Sequence, residues 1–151
     1  MKKDSSVIII AVFLNLLVFA FILICTKPIY DTNEDVYILY LLSGSFGFAP
    51  TELLHYNYGL HPLLGWILKN LFLLDNNINW YAITLLFFHF VACTIICSQI
   101  LLHNSKFYFI SACLAILIIF ECRFMLNLNF TNTALVTGCS GLVLLVRAAK
   151  N

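Results

Sequence analysis

Charge is scarce in this chain. Only 10% of the 151 residues are Asp, Glu, Lys or Arg, against 62% hydrophobic residues and a mean hydropathy of +0.97. A soluble domain of this length exposes far more charge, so the water-soluble globular classes are excluded. The little charge present nearly cancels, at net +1, which leaves no electrostatic footprint for nucleic acid. Alternation of polar and apolar residues is also missing. The apolar runs are continuous, which excludes a membrane β-barrel. The six cysteines, Cys25, Cys93, Cys97, Cys113, Cys122 and Cys139, form neither a C-x-x-C nor a zinc spacing. Cys93 and Cys97 are four apart on one helix face, and most of the six sit inside apolar runs as small packing residues.

What is present is a series of apolar stretches near the ~20 residues needed to cross a bilayer. The first, Val7–Cys25, follows the basic start Met1-Lys-Lys-Asp-Ser-Ser6. At about 19 residues it is too long for a leader core. Ile24-Cys25-Thr26-Lys27 offers no small-x-small cleavage site, and Ile24 before Cys25 spoils a lipoprotein box. It reads as an uncleaved anchor with a cytoplasmic N-terminus. A loop over Thr26–Tyr37 follows, then a short helix over Val36–Leu42 lying along the interface. Gly and Pro in Ser43–Pro50 break it, and Tyr56 and Tyr58 suit the headgroup level. His61–Leu74 is short, Asp75–Asn79 is a turn, and Tyr81–Leu102 is a full span. Phe107–Phe120 is a further span, Glu121–Asn132 a second polar segment, and Thr133–Val146 the last apolar run.

The expected fold is therefore all-α, a single polytopic membrane domain over residues 1–151 with four to five spans and an interfacial helix in the first external loop. If His61–Leu74 crosses, there are five spans, and Arg147 and Lys150 lie outside. If it is re-entrant there are four, and Lys2, Lys3, Lys106, Arg147 and Lys150 are all cytoplasmic. The positive-inside tendency favours four.

Three of the seven acids, Asp31, Glu34 and Asp35, fall within five residues where the chain leaves its first apolar run. Carboxylates crowded at a membrane surface repel one another, and partial desolvation makes one of them a better proton acceptor. The plain alternative is a solvated loop. His61 and Lys69 flank a helix start bearing Pro62, where backbone N–H groups favour an anion such as phosphate. The alternative there is a helix cap and a snorkelling lysine. Arg123 suits bidentate phosphate binding, or else pairs with Glu121 or faces the cytoplasm. His89, mid-span, is expected to bond to a neighbouring helix rather than act as a ligand or proton relay. Asn129-Phe-Thr131 fits a glycosylation pattern, with nothing to place the chain in a pathway that uses it.

The order of these parts resembles the N-terminal module of GT-C-type integral membrane glycosyltransferases, which include protein mannosyltransferases and aminoarabinose transferases. Asn33-Glu-Asp35 is similar to the acidic motif of their first external loop. His61-Pro-Leu-Leu-Gly-Trp66 is similar to their His/Pro-Pro-Leu-Gly-Lys stretch, with Leu63 at the second proline. Trp80-Tyr81 and Phe130-Thr-Asn-Thr-Ala134 resemble bacterial membrane glycosyltransferases of surface polysaccharides. The resemblance implies transfer of a sugar from a polyprenyl-phosphate donor to an acceptor hydroxyl, on the external face of a bacterial cytoplasmic membrane. It implies Asp35 as the base with Glu34 beside it, and Asp31, His61, Lys69 and Arg123 as substrate-binding groups. Glu34 and Asp35 would hold Mg²⁺ or Mn²⁺ if the member is metal-dependent. Such enzymes carry eight or more spans, so the chain is expected to be an N-terminal fragment, a truncated module or one part of a split enzyme with a partner chain. The competing readings are a non-catalytic membrane subunit or decayed transferase remnant, and a small transporter subunit.

Overall fold

The computed structural model describes residues 2–45, 50, 61–103 and 107–149. Tyr56, Tyr58, Lys106 and Lys150 from the readings above lie outside them. The described residues are helical nearly throughout: α1 (Lys2–Cys25), α2 (Asn33–Ser43), α3 (Pro62–Leu74), α4 (Trp80–His103), α5 (Phe107–Ile116), a π-turn (Leu117–Glu121), α6 (Cys122–Leu126) and α7 (Phe130–Ala148). Two short strands, β1 (Ile29–Tyr30) and β2 (Asn127–Leu128), complete it. Four stretches are long and apolar enough to cross a membrane: Ser5–Cys25, Trp80–His103, Phe107–Leu126 and Phe130–Ala148. Each of them leaves large apolar side chains exposed, as at Ile9, Phe21, Phe87, Ile119 and Leu145. In a bilayer that outward surface meets lipid rather than water, and the chain is an integral membrane protein.

Local chemistry sets where each helix begins and ends. α1 stops where the Thr26 hydroxyl donates to the Ile22 carbonyl at 2.6 Å, two residues before Pro28, whose missing N–H prevents continuation. α2 starts earlier than the apolar pattern suggested. The Thr32 side chain caps it by accepting the Asp35 N–H at 3.3 Å. Glu34 and Asp35 therefore lie in its first helical turn, where the helix dipole favours negative charge. Gly44 ends α2 at φ 74°, a left-handed conformation that costs glycine nothing. His61 caps α3 by accepting the Leu63 N–H on Nδ1 at 3.2 Å. Asn79 caps α4 through the Ala82 N–H at 3.1 Å, and Asn129 caps α7 through the Thr131 N–H at 2.6 Å.

The strands decide the path. β1 and β2 pair in parallel, Ile29 opposite Asn127 and Tyr30 opposite Leu128. The Asp31 N–H extends the ladder to the Leu128 carbonyl at 2.9 Å. The Tyr30 hydroxyl donates to Asn79 Oδ1 at 2.8 Å. These bonds gather the end of α1, the start of α4, the end of α6 and the start of α7 at one end of the bundle. At the opposite end, Arg147 Nη1 donates to Gln99 Oε1 at 2.7 Å, joining the last turns of α4 and α7. The chain thus leaves α1 and enters α4 on the same side, and α2 and α3 form an excursion there. α3, 13 residues and roughly 20 Å long, does not carry the chain across. Of the two expected arrangements, this is the four-span one. Ile38 and Leu42 of α2 pack with Leu68 and Phe72 of α3, Tyr81 and Leu85 of α4, and Leu128.

One expected boundary is corrected. Glu121–Leu126 was read as the start of a polar connection, but the third span runs unbroken to Leu126 through the π-turn. Leu117, Glu121 and Met125 recur every four residues and are all fully buried, so the stretch presents one inward helical face. The cysteines behave as packing residues where buried, at 93, 97 and 113, and all six thiols are free.

The four-span path has a direct check. In a chain freed of its native cysteines and held in sealed vesicles, Asp31→Cys and Asn77→Cys should react with an impermeant maleimide from one side, and Ala148→Cys from the other. Reaction of the first two from opposite sides would mean that α3 crosses.

Candidate functional site

The three loop acids divide sharply. Asp31 and Glu34 are exposed, whereas Asp35 is completely buried. Oδ1 of Asp35 accepts the Tyr81 hydroxyl at 2.7 Å and the Phe130 N–H at 3.1 Å. Oδ2 accepts the Thr32 hydroxyl at 2.6 Å. A carboxylate answered by this many donors is compensated for its burial. The three donors come from the turn before α2, the first turn of α4 and the first residue of α7. Asp35 is thus the tie between the excursion and two spans.

Tyr30 covers this tie. Its ring stacks on Tyr81 at 5.8 Å between centroids. Burial pushes the Tyr30 phenol up from 10.0 to about 12, and the nearby Asp35 charge adds to the rise. The folded chain therefore keeps this proton at pH values where the unfolded chain releases it. The resulting stabilisation is complete below about pH 10 and is lost as pH rises through about 12.

A groove of about 350 Å³ opens beside the tie. His61, Leu64, Tyr81, Thr84, Phe88, Phe130, Thr133 and Thr137 are among its lining residues. Two of these, Tyr81 and Phe130, are the residues that bond to Asp35 Oδ1. The groove is mostly apolar, with hydroxyls along the α4 and α7 walls and an imidazole at one edge. Such a surface suits an amphipathic ligand with an apolar body and a polar head.

The structure brings Asp31, Glu34, Asp35 and His61 to the same end of the bundle, with His61 as both helix cap and groove residue. Lys69 is half-buried further along α3. Arg123 is exposed on α6, at that end too, because α6 runs into β2. It does not share a face with Glu121, which is buried, so the alternative of an Arg123–Glu121 surface pair is set aside. Asn129 is 8% exposed and its Oδ1 caps α7.

The described residues form no divalent-ion site around Asp35. The Asp35 oxygens already accept three O–H or N–H hydrogens, two on Oδ1 and one on Oδ2. Among the described residues, no group of three His, Cys, Asp or Glu side chains is placed to hold a metal.

Sequence reasoning missed Tyr81, Thr32 and the Phe130 N–H as partners of Asp35. Thr32-x-x-Asp35 carried a local signal, since a hydroxyl three residues before an acid is a helix-start pattern. It also missed the buried polar residues Asn15 and Glu121. Asn15, alone in an apolar run, was itself a signal.

No protein-family model matches the chain, and no curated protein or solved structure aligns significantly with it.

Two outcomes test this geometry. Asp35→Ala leaves the Tyr81 hydroxyl and the Phe130 N–H unpaired in the interior, at about 1–3 kcal/mol each, so a loss on the order of 3–5 kcal/mol is expected in denaturation from detergent micelles. Asp35→Asn keeps an acceptor for both donors and should lose about 1–2 kcal/mol. Equal tolerance of both changes would contradict the tie. Between about pH 10 and 12 the denaturation midpoint should fall, and Tyr30→Phe should weaken that slope.

Proposed function

We propose that this chain is a module of a GT-C-type membrane glycosyltransferase, acting at the end of the bundle that carries α2 and α3. The observation that carries the reading is the head of α2. It follows directly on the first span, presents an acidic pair, and is fastened by Asp35 against the walls of an amphipathic groove. Lys2 and Lys3 at the start of α1 and Arg147 at the end of α7 lie at the opposite end. By the positive-inside tendency that end is cytoplasmic and the α2 end extracytoplasmic, as in the inner membrane of a bacterium.

The geometry redistributes the roles of the acids. A general base must reach its proton, and Glu34 is exposed while Asp35 is enclosed. In the proposed reaction Glu34 takes the proton of an acceptor hydroxyl as that oxygen attacks the anomeric carbon of the donor sugar. The bond from that carbon to the phosphate oxygen breaks, and the polyprenyl phosphate leaves with the electron pair. Asp35 positions Glu34 by fixing the first turn of α2. The groove takes the first isoprene units, and His61, with Lys69 and Arg123 at the same end, answers the phosphate charge. Asp31 orients the acceptor. α7 leaves Leu135, Leu142 and Leu145 exposed, an apolar face on which further helices, from a longer chain or a partner, would complete the lipid path.

In membranes that support transfer, Glu34→Gln should lower sugar transfer from the lipid donor by roughly 10²-fold or more with insertion unchanged. Undiminished transfer would remove Glu34 as the base. A second reading, a non-catalytic membrane subunit, is favoured by the full engagement of the Asp35 carboxylate, which suits a structural tie. It expects Asp31, Glu34 and His61 to be neutralised together without loss of the membrane activity it supports, while Asp35→Ala abolishes assembly.

A further inference from the structure

Midway along the bundle, three spans bring polar side chains together: Asn15 from α1, His89 from α4 and Glu121 from the π-turn. All three are completely buried. Apolar clusters close the layer on both sides, with Ala11, Cys97 and Leu117 in one and Phe19 and Met125 in the other. His89 lies roughly 14 Å along α4 from its first residue, well inside the hydrocarbon depth.

The Asn15 amide is partly used, since Nδ2 donates to the Phe90 carbonyl and to Thr94 Oγ1, each at 2.8 Å. What remains is conspicuous. Asn15 Oδ1, both ring nitrogens of His89 and both carboxylate oxygens of Glu121 are buried with no nitrogen or oxygen partner, and only the weakly donating Cys93 thiol approaches Glu121. His89 Nδ1 stands 3.8 Å from Glu121 Oε1, a small side-chain rotation from a direct bond. Unpartnered polar atoms are costly in hydrocarbon, and their concentration at one point marks a site whose ligand supplies the missing bonds.

The pair itself selects the ligand. An ionised carboxylate beside a neutral imidazole leaves one uncompensated charge in the membrane interior. One added proton removes it, as carboxylic acid with imidazole or as carboxylate with imidazolium. The two forms differ only by transfer of that proton from Glu121 oxygen to the His89 ring nitrogen, and both are neutral overall. A metal ion fits less well, because no trio of His, Cys, Asp or Glu among the described residues is placed to hold one. We propose that His89 and Glu121 form an intramembrane proton-binding site, with Asn15 Oδ1 as an acceptor in the same layer.

The ionisable group nearest the pair is a thiol. From α4, Cys93 stands beside Glu121, and Cys97 beyond it faces Cys113 of α5. The Phe124 ring lies 5.6 Å from His89 between centroids. α1 brings only the non-ionising Asn15. Of the α7 ionisable groups, Cys139 is exposed and Arg147 is bonded to Gln99 at the far end. Arg123, two residues past Glu121, is exposed.

The full chain reconstituted in phosphatidylcholine vesicles allows a direct test by infrared difference spectroscopy across pH, in light and heavy water. The expected result is a protonated-carboxyl or imidazolium signal that exchanges slowly with solvent, disappears in Glu121→Gln and shifts its pH midpoint in His89→Asn. A wild-type chain lacking such a signal at every pH where it stays helical overturns the proposal, as does a signal that persists in Glu121→Gln. Should that variant fail to insert, solid-state NMR of the wild type with labelled histidine and glutamate decides. A His89 nitrogen and the Glu121 carboxyl sharing one proton supports the site, and a neutral ring beside an ionised carboxylate refutes it.

Discussion

The Asp35 carboxylate is the constraint on which the arrangement depends. Its three hydrogen bonds reach the turn before α2, the start of α4 and the start of α7. Without it the head of α2 would lose its side-chain bonds to α4 and α7, and the apolar contacts beneath it are only weakly directional. The bonds specify which end of α4 meets which end of α7, and they fix the first turn of α2 with Glu34 facing outward. The parallel pair of β1 and β2 adds the same specification from the backbone side. A charged group enclosed by donors from separate segments is intolerant of rearrangement, because losing any one donor leaves charge unanswered. The groove beside it inherits this rigidity through Tyr81 and Phe130.

Much of this fold was legible in the sequence. α1 and α4 followed from continuous apolar runs with polar residues at both ends, and the four-span path was favoured by the distribution of Lys and Arg before any contact was known. The limits of legibility have physical causes. The acids at 34 and 35 looked like a loop because acids mark exits from a membrane, whereas Thr32 turns them into the first turn of a helix. Glu121 looked like the end of a span because a charge normally is one, whereas a four-residue spacing through Leu117 and Met125 carries it inward. The partners of Asp35 are 46 and 95 residues away, and no local pattern reports contacts at that distance. The acidic cluster was recognised as a candidate site, but its division into one enclosed and two exposed carboxylates belongs to tertiary structure.

The molecule therefore has two polar centres of opposite character. At one end, Asp35 is buried and answered by its neighbours. In the middle, His89 and Glu121 are buried and not answered. The first has the properties of a structural device and lies beside an open groove. The second is closed off by apolar clusters on both sides, with the Cys93 thiol and the Phe124 ring beside it. That the two lie along the same central helix, eight residues apart at Tyr81 and His89, makes α4 the element common to both.

The π-turn has a further geometric consequence. Successive four-residue steps along an α-helix each overshoot a full turn by about 40°. Three such steps, from Cys113 to Met125, would accumulate about 120° and swing Met125 out of the column that Cys113 begins. A wide turn absorbs one extra residue, worth about 100°, and cancels most of that drift. Cys113, Leu117, Glu121 and Met125 can then all be fully buried on a single line. The turn acts as a phase correction, and its length is fixed by the residues on either side of it. Deleting one residue there would turn the wide turn into ordinary α-helix and leave the column aligned, whereas deleting two would rotate its lower half, together with the approach to β2, by about 100° away from the rest of the protein.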